Sequence, residues 1–115
     1  MEVAPFKVGP DYIDPGYHGV AAGRPGRNLD SVMCGEQLIG PLYAHGSKGC
    51  DISVVEGVMG LFDGGTGSAA HLAKTLGLPV LLVVDVRSAA ESVAAVVKGF
   101  ATLDPELSLS GVICN

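Results

Sequence analysis

The side chains of this sequence that could do chemistry fall at the ends of apolar runs. Lys7 lies in the stretch Val3–Val8, which closes on Gly9-Pro10 with Asp11 just beyond. Glu56 ends the β-branched run Asp51–Glu56 and is followed by Gly57. Asp85 follows the apolar run Val80–Val84, and Asn115 follows Leu109–Cys114. Runs of this kind read as strands of a parallel sheet covered on both faces, and such sheets bind ligands outside the carboxyl ends of their strands. The spacing predicts that three acidic groups and a lysine converge on one rim. Carboxylates in that position suit Mg²⁺ close to phosphate, because this ion takes one or two carboxylates and completes its shell with phosphate oxygens and water. Gly57 lets a bulky ligand approach the backbone beside Glu56. Spacing alone leaves alternatives open. Glu56 also fits an ordinary acid on a wet rim, Asp85 one that ends its strand beside the next helix cap, and Lys7 one that snorkels from a sheet edge.

Other chemistries lack their residues. No G-x-x-x-x-G-K-[ST], G-x-S-x-G or H-E-x-x-H occurs. Gly64-Gly-Thr-Gly-Ser68 leads into a helix without a lysine and is a weak anion-binding candidate. His18, His45 and His71 are not spaced as metal ligands. Cys34, Cys50 and Cys114 form no C-x-x-C and read as buried, reduced thiols of a cytoplasmic protein.

The elements that must position these residues alternate. Strands are expected at 3–8, 51–56, 79–85 and 109–114. Residues 9–28 carry five Gly and three Pro and read as one long loop. Asp30 can cap a helix over Ser31–Ala44, and Ser68 one over Ala69–Leu76 that ends at Gly77. Ser88-Ala-Ala-Glu91 matches a capping box ahead of a helix carrying Val93, Ala94, Val97, Phe100 and Ala101. Strands alternating with helices imply an α/β fold, a parallel sheet with helices on both faces.

Composition closes further options. The 115 residues suffice for one domain, and 48% apolar content is too high for disorder. Seven basic against 12 acidic residues, net −5, without a basic run, argue against nucleic-acid partners. No apolar run approaches the roughly 20 residues of a membrane span.

Two long segments go further. Phe6-Lys-Val-Gly-Pro-Asp-Tyr-Ile-Asp-Pro-Gly-Tyr-His18 and Glu56-Gly-Val-Met-Gly-Leu-Phe-Asp-Gly64 resemble the signatures of the cobyrinate a,c-diamide synthase family. Asn28-Leu-Asp30, Pro79–Asp85 and Gly111–Asn115 follow in the family's order. Relatives with these motifs act on hydrogenobyrinate or nickel-sirohydrochlorin. The resemblance implies a P-loop NTPase fold similar to dethiobiotin synthetase, lacking here the P-loop strand, with ATP as co-substrate and Mg²⁺ as cofactor. It implies a corrinoid or related tetrapyrrole substrate, amidated through acyl phosphates with ammonia from a glutaminase domain. In the same way it assigns Lys7 to phosphate oxygens, Glu56 and Asp11 to Mg²⁺, and Asp14 and Asp63 to the intermediate or to ammonia. Asn115 falls where such folds contact adenine, Tyr12, Tyr17, His18 and Asn28 are matched to substrate, and Asp30 reads equally as a metal-side acid or a helix cap. Residues 1–115 then read as an internal piece of the synthetase domain or a truncated gene product, without the glutaminase; the alternative is a non-catalytic nucleotide- or tetrapyrrole-binding remnant. Such a piece is expected to be inactive alone and, with unpaired strand edges, to form an oligomer.

Overall fold

The computed structural model describes residues Met1–Asn115. The chain divides into two compact units, Met1–Leu76 and Gly77–Asn115.

The first unit is built on β1 (Val3–Val8), the middle strand of a parallel sheet ordered β2-β1-β3, with β2 at Arg27–Leu29 and β3 at Ile52–Glu56. Residues 4–8 of β1 are all buried, which is why the strand reads as apolar without alternation. Phe6 stacks obliquely on Tyr43 with ring centroids 5.2 Å apart, and Ala4, Val8, Leu29, Ile39 and Leu72 complete the core. Gly46 lies against that ring, so close that a Cβ there would meet Phe6 at 2.7 Å.

The loop expected over residues 9–28 is instead interrupted by α1 (Asp14–Ala22) and by β2. The start and end of α1 have local causes. Asp11 Oδ1 accepts the N–H groups of Ile13 at 2.8 Å and Asp14 at 2.7 Å, which satisfies donors at the start of the helix. Pro15 stands in the first turn, where its missing N–H costs nothing, and Gly23 at φ 68° ends the helix in the left-handed region. The helix expected over Ser31–Ala44 is two helices, α2 (Ser31–Cys34) and α3 (Glu36–Ser47), broken at Gly35 with φ 85°. Ser68 caps α4 (Ala69–Leu76) as expected, its Oγ accepting from His71 N at 3.1 Å.

The second unit holds β4 (Val80–Val84), α5 (Val93–Leu103) and β5 (Leu109–Cys114), and β4 pairs in parallel with β5. Helix α5 starts at Val93 after Ser92, so Ser88–Glu91 lies ahead of it and forms no capping box. Every strand pair is parallel, but the four expected strands do not form one ladder: β4 and β5 make a sheet of their own. The cysteines expected to be buried are not: Cys34 and Cys114, at the ends of α2 and β5, are exposed and Cys50 is half-buried, all three as free thiols. No helix is long and apolar enough to cross a membrane.

Candidate active site

Register builds the site. Lys7 on β1 stands opposite Asn28 on β2 and Glu56 on β3, so three polar side chains occupy one row near the carboxyl end of the sheet. The loops after these strands begin with Gly9, Asp30 and Gly57. Lys7 is only 5% exposed, an uncommon state for an ammonium, and it is tolerated because its three donors are used. Nζ lies 2.8 Å from Asp14 Oδ2 and 3.5 Å from Glu56 Oε1, and it donates to the Gly57 carbonyl at 3.2 Å. Burial pulls the Lys7 pKa down. The Asp14 hydrogen bond and the charges of Glu56 and Asp14 outweigh it, leaving the pKa above its ordinary 10.5.

His18 completes the cluster from α1, its Nε2 2.6 Å from Glu56 Oε2. Both Glu56 oxygens are therefore engaged, one by Lys7 and one by His18, although the carboxylate remains half exposed. His18 Nδ1 is buried without a hydrogen-bond partner. A cavity of about 240 Å³ adjoins, walled by Val3, Pro5, Phe6, Ala21, Ala22 and Val54, with His18 and Glu56 at its polar side.

Asp11 sits beside this cluster rather than in it. Its Oδ1 closes the turn into α1, and the Asp14 and Ile13 N–H groups hold its pKa below the usual carboxylate value. Asn28 Nδ2 donates to the Asp11 carbonyl at 2.8 Å, tying the loop after β1 to β2. Asp30 is a helix cap: Oδ1 accepts from Val32 N at 2.9 Å and Met33 N at 3.1 Å, while Oδ2 is buried without a partner. Asp63 is exposed, with its carboxylate folded over Gly60. Tyr12 and Tyr17 are exposed on the loop and helix that follow β1.

The remaining expected residues lie in the second unit. Asp85 accepts from the Arg87 backbone N–H at 3.0 Å and pairs with the Arg87 guanidinium, which lowers its pKa. That is the strand-ending role. Asn115 prolongs the β4–β5 pairing, its N–H donating to Val84 O and its carbonyl accepting from Val86 N, each at 2.9 Å. Sequence reasoning named His18 but missed its partner, because a contact between a helix and a strand 38 positions apart leaves no mark in local spacing.

No group of three or more His, Cys, Asp or Glu side chains is placed to hold a metal by itself. The donor chemistry still fits Mg²⁺ of the kind that shares its shell with phosphate. Glu56 is a half-exposed hard oxygen donor at a strand end, and Asp11 keeps Oδ2 outside its turn.

The first unit is thus a parallel α/β protein whose charged site lies at the carboxyl ends of its strands. Sequence comparison narrows that class. The chain is 62% identical over 122 aligned residues to the hydrogenobyrinate a,c-diamide synthase of Mycobacterium tuberculosis and 59% identical over 120 to that of Streptomyces coelicolor. It is 48% identical over 120 residues to the cobyrinate a,c-diamide synthase of Picrophilus torridus. These alignments take in 98 to 100% of the chain and 25 to 27% of each relative, so the chain spans about a quarter of the relatives' length. Over that shared segment it belongs to the a,c-diamide synthase family. No family model and no solved structure matches it.

Proposed function

We propose that these residues carry the carboxylate-activating part of an a,c-diamide synthase of cobalamin biosynthesis, within a synthetase of the P-loop, dethiobiotin synthetase-like type. The observation that supports this most is the buried Lys7 held between Asp14 and Glu56 at a strand end. A carboxylate is a poor electrophile. In the proposed reaction a peripheral carboxylate oxygen of the ring attacks the terminal phosphorus of ATP, and ADP leaves. Ammonia drawn from glutamine then attacks the acyl carbon, phosphate departs, and a proton is lost to leave the amide. Fixed positive charge at the phosphoryl oxygens stabilises the first step, and Lys7 would supply it by exchanging one of its three present partners for a phosphate oxygen.

Glu56 would hold Mg²⁺, with Asp11 as the second carboxylate; when bound, the ion would neutralise phosphate charge. Asp14 fixes Lys7, and Asp14 or Asp63 orients the intermediate or ammonia. Asn28 holds the loop bearing Tyr12 near the substrate, Tyr17 and His18 face it from α1, and Asn115 contacts adenine. A cytoplasmic enzyme acting with a glutaminase domain agrees with this chemistry. Exposed Ile52 and Val54 on the edge strand β3 support self-association.

Identity favours hydrogenobyrinate over cobyrinate as substrate: the relatives at 51 to 62% bear the first name and those at 47 to 49% the second. The test is amidation by a full-length synthase containing this segment, assayed with cobalt-free and cobalt-containing substrate and in the Glu56→Gln variant. The reading expects faster turnover of the cobalt-free ring and strong loss in the variant. Undiminished turnover by Glu56→Gln removes that residue from the site.

A further inference from the structure

Helix α1 reaches the charged row twice. Asp14 and His18 stand four residues apart, which places both side chains on one face of the helix. Asp14 binds Lys7 on β1, and His18 binds Glu56 on the neighbouring strand β3. The family resemblance matches His18 to substrate, but in the structure its ring has a partner already. Nε2 lies 2.6 Å from Glu56 Oε2, the shorter of the two contacts that hold this carboxylate; Lys7 Nζ stands 3.5 Å from Oε1. Nδ1 is buried without a partner, and the walls of the adjoining cavity other than His18 and Glu56 are apolar. The contact with Glu56 is therefore the one polar contact that orients the imidazole. A carboxylate oxygen accepts, so Nε2 is the nitrogen that donates.

The two Glu56 oxygens are thus unequal. Oε2 is taken by His18. Oε1 is shared loosely with an ammonium that has two nearer partners, Asp14 Oδ2 at 2.8 Å and the Gly57 carbonyl at 3.2 Å. In the proposed reaction Lys7 turns to a phosphate oxygen, and Glu56 then depends on the partner that remains. A half-exposed Glu side chain released at both oxygens spreads over its rotamers, and ordering it again costs free energy when an ion binds.

We propose that His18 is a positioning residue: it holds Oε2 of Glu56 and leaves Oε1 as the oxygen available to the ion. This rests on the reading of Glu56 as the residue that holds Mg²⁺, and adds what keeps that carboxylate in place. Partners that orient a ligating carboxylate without touching the ion typically change metal affinity or activity by about tenfold to a hundredfold when they are lost.

The experiment compares wild type, His18→Gln and His18→Asn in a full-length synthase containing this segment. Both replacements are neutral amides. Glutamine carries its amide nitrogen out to the reach of Nε2, whereas asparagine stops near Nδ1 and falls short of Glu56. Both lose the same ring, so any effect of lost packing is common to them and their contrast reads the hydrogen bond alone. Mn²⁺ is the probe, its binding in the presence of a non-hydrolysable ATP analogue followed by electron paramagnetic resonance, with the Mg²⁺ dependence of amidation measured beside it. His18→Asn is expected to weaken Mn²⁺ binding, and to raise the Mg²⁺ concentration at half-maximal rate, about tenfold with the KM for the tetrapyrrole unchanged; His18→Gln stays within about twofold of wild type. Equal Mn²⁺ affinity in the two variants overturns the proposal. So does a raised tetrapyrrole KM with an unchanged Mg²⁺ requirement, which makes His18 a substrate contact. The parent reading fails separately, through wild-type amidation by Glu56→Gln. If Glu56→Gln is impaired while both His18 variants bind Mn²⁺ as wild type does, the positioning role alone falls.

Discussion

Replacing Lys7 with methionine keeps the length and apolar stem of the side chain and removes the one cation of the cluster. Its effect can be worked from the geometry. Removing one partner of a fully buried ion pair costs about 3–5 kcal/mol, whereas exposed pairs are worth about 0.2–1 kcal/mol. The Lys7 side chain is 6% exposed, but those of Asp14 and Glu56 are 40% and 50% exposed, so water screens what the lost ammonium leaves behind. The expected loss lies between the limits, about 2 kcal/mol. For a unit this size that lowers the melting temperature by about 8–16 °C. The sign with pH follows from the raised Lys7 pKa. Its stabilisation is complete below the ordinary value of 10.5 and is lost as pH rises through the higher folded value. The gap between wild type and Lys7→Met is therefore constant from neutral pH to about 9 and closes only above 10.5. A double-mutant cycle with Asp14→Asn isolates the pair, because a neutral amide has less need of the cation, and a coupling of about 1 kcal/mol is expected. Thermal melts followed by circular dichroism read all four proteins. Additive losses, or a Lys7→Met chain melting within about 2 °C of wild type, refute the reasoning.

Further outcomes follow from single contacts. In a full-length synthase Glu56→Gln lowers amidation strongly at saturating Mg²⁺ while Asp85→Asn, whose carboxylate is committed to Arg87, lowers it much less; steady-state rates decide. Because Asp11 is held below its ordinary 3.8 by the Asp14 and Ile13 N–H groups, its contribution is present above pH 4 and lost as pH falls through the folded value. Acid titration of wild type and Asp11→Ala should show a stability difference that shrinks below pH 3.8. Gly46→Ala drives a methyl into the Phe6 ring and costs about 1–3 kcal/mol by overpacking, measured by denaturant unfolding.

Local signals in the sequence mark individual residues more clearly than they mark the architecture around them. Lys7 and Glu56 were legible because their signals are local: an apolar run with a charge inside it, and a β-branched run that stops at an acid. Asp14 entered only through the family resemblance, since nothing in its own spacing marks it. Helix α1 was not legible, since Pro15, Gly16 and Gly19 count as breakers one at a time. Only the Asp11 side chain closing on two N–H groups, and the first-turn place of Pro15, make them compatible with a helix. Strand β2 is three residues long, too short for any period to show, and its place is set by pairing with β1. The capping box at Ser88–Glu91 had the right letters at the right spacing, but the chain turns there and the helix begins at Val93. Pairing is the least local property of all, and four strands read correctly as parallel still did not say which would be neighbours.

Asp14 shows how these levels meet in one residue. Its backbone N–H is bound by Asp11, which starts α1, and its carboxylate binds Lys7, which α1 helps cover. The helix also brings His18, one turn on, to Glu56. A helix that failed to start would therefore release two of the groups that hold the Lys7–Glu56 pair, and the sheet would keep a buried ammonium with one carboxylate. The unfavourable burial of Lys7 and the improbable helix that follows it are in this sense one device: each is stable because the other forms.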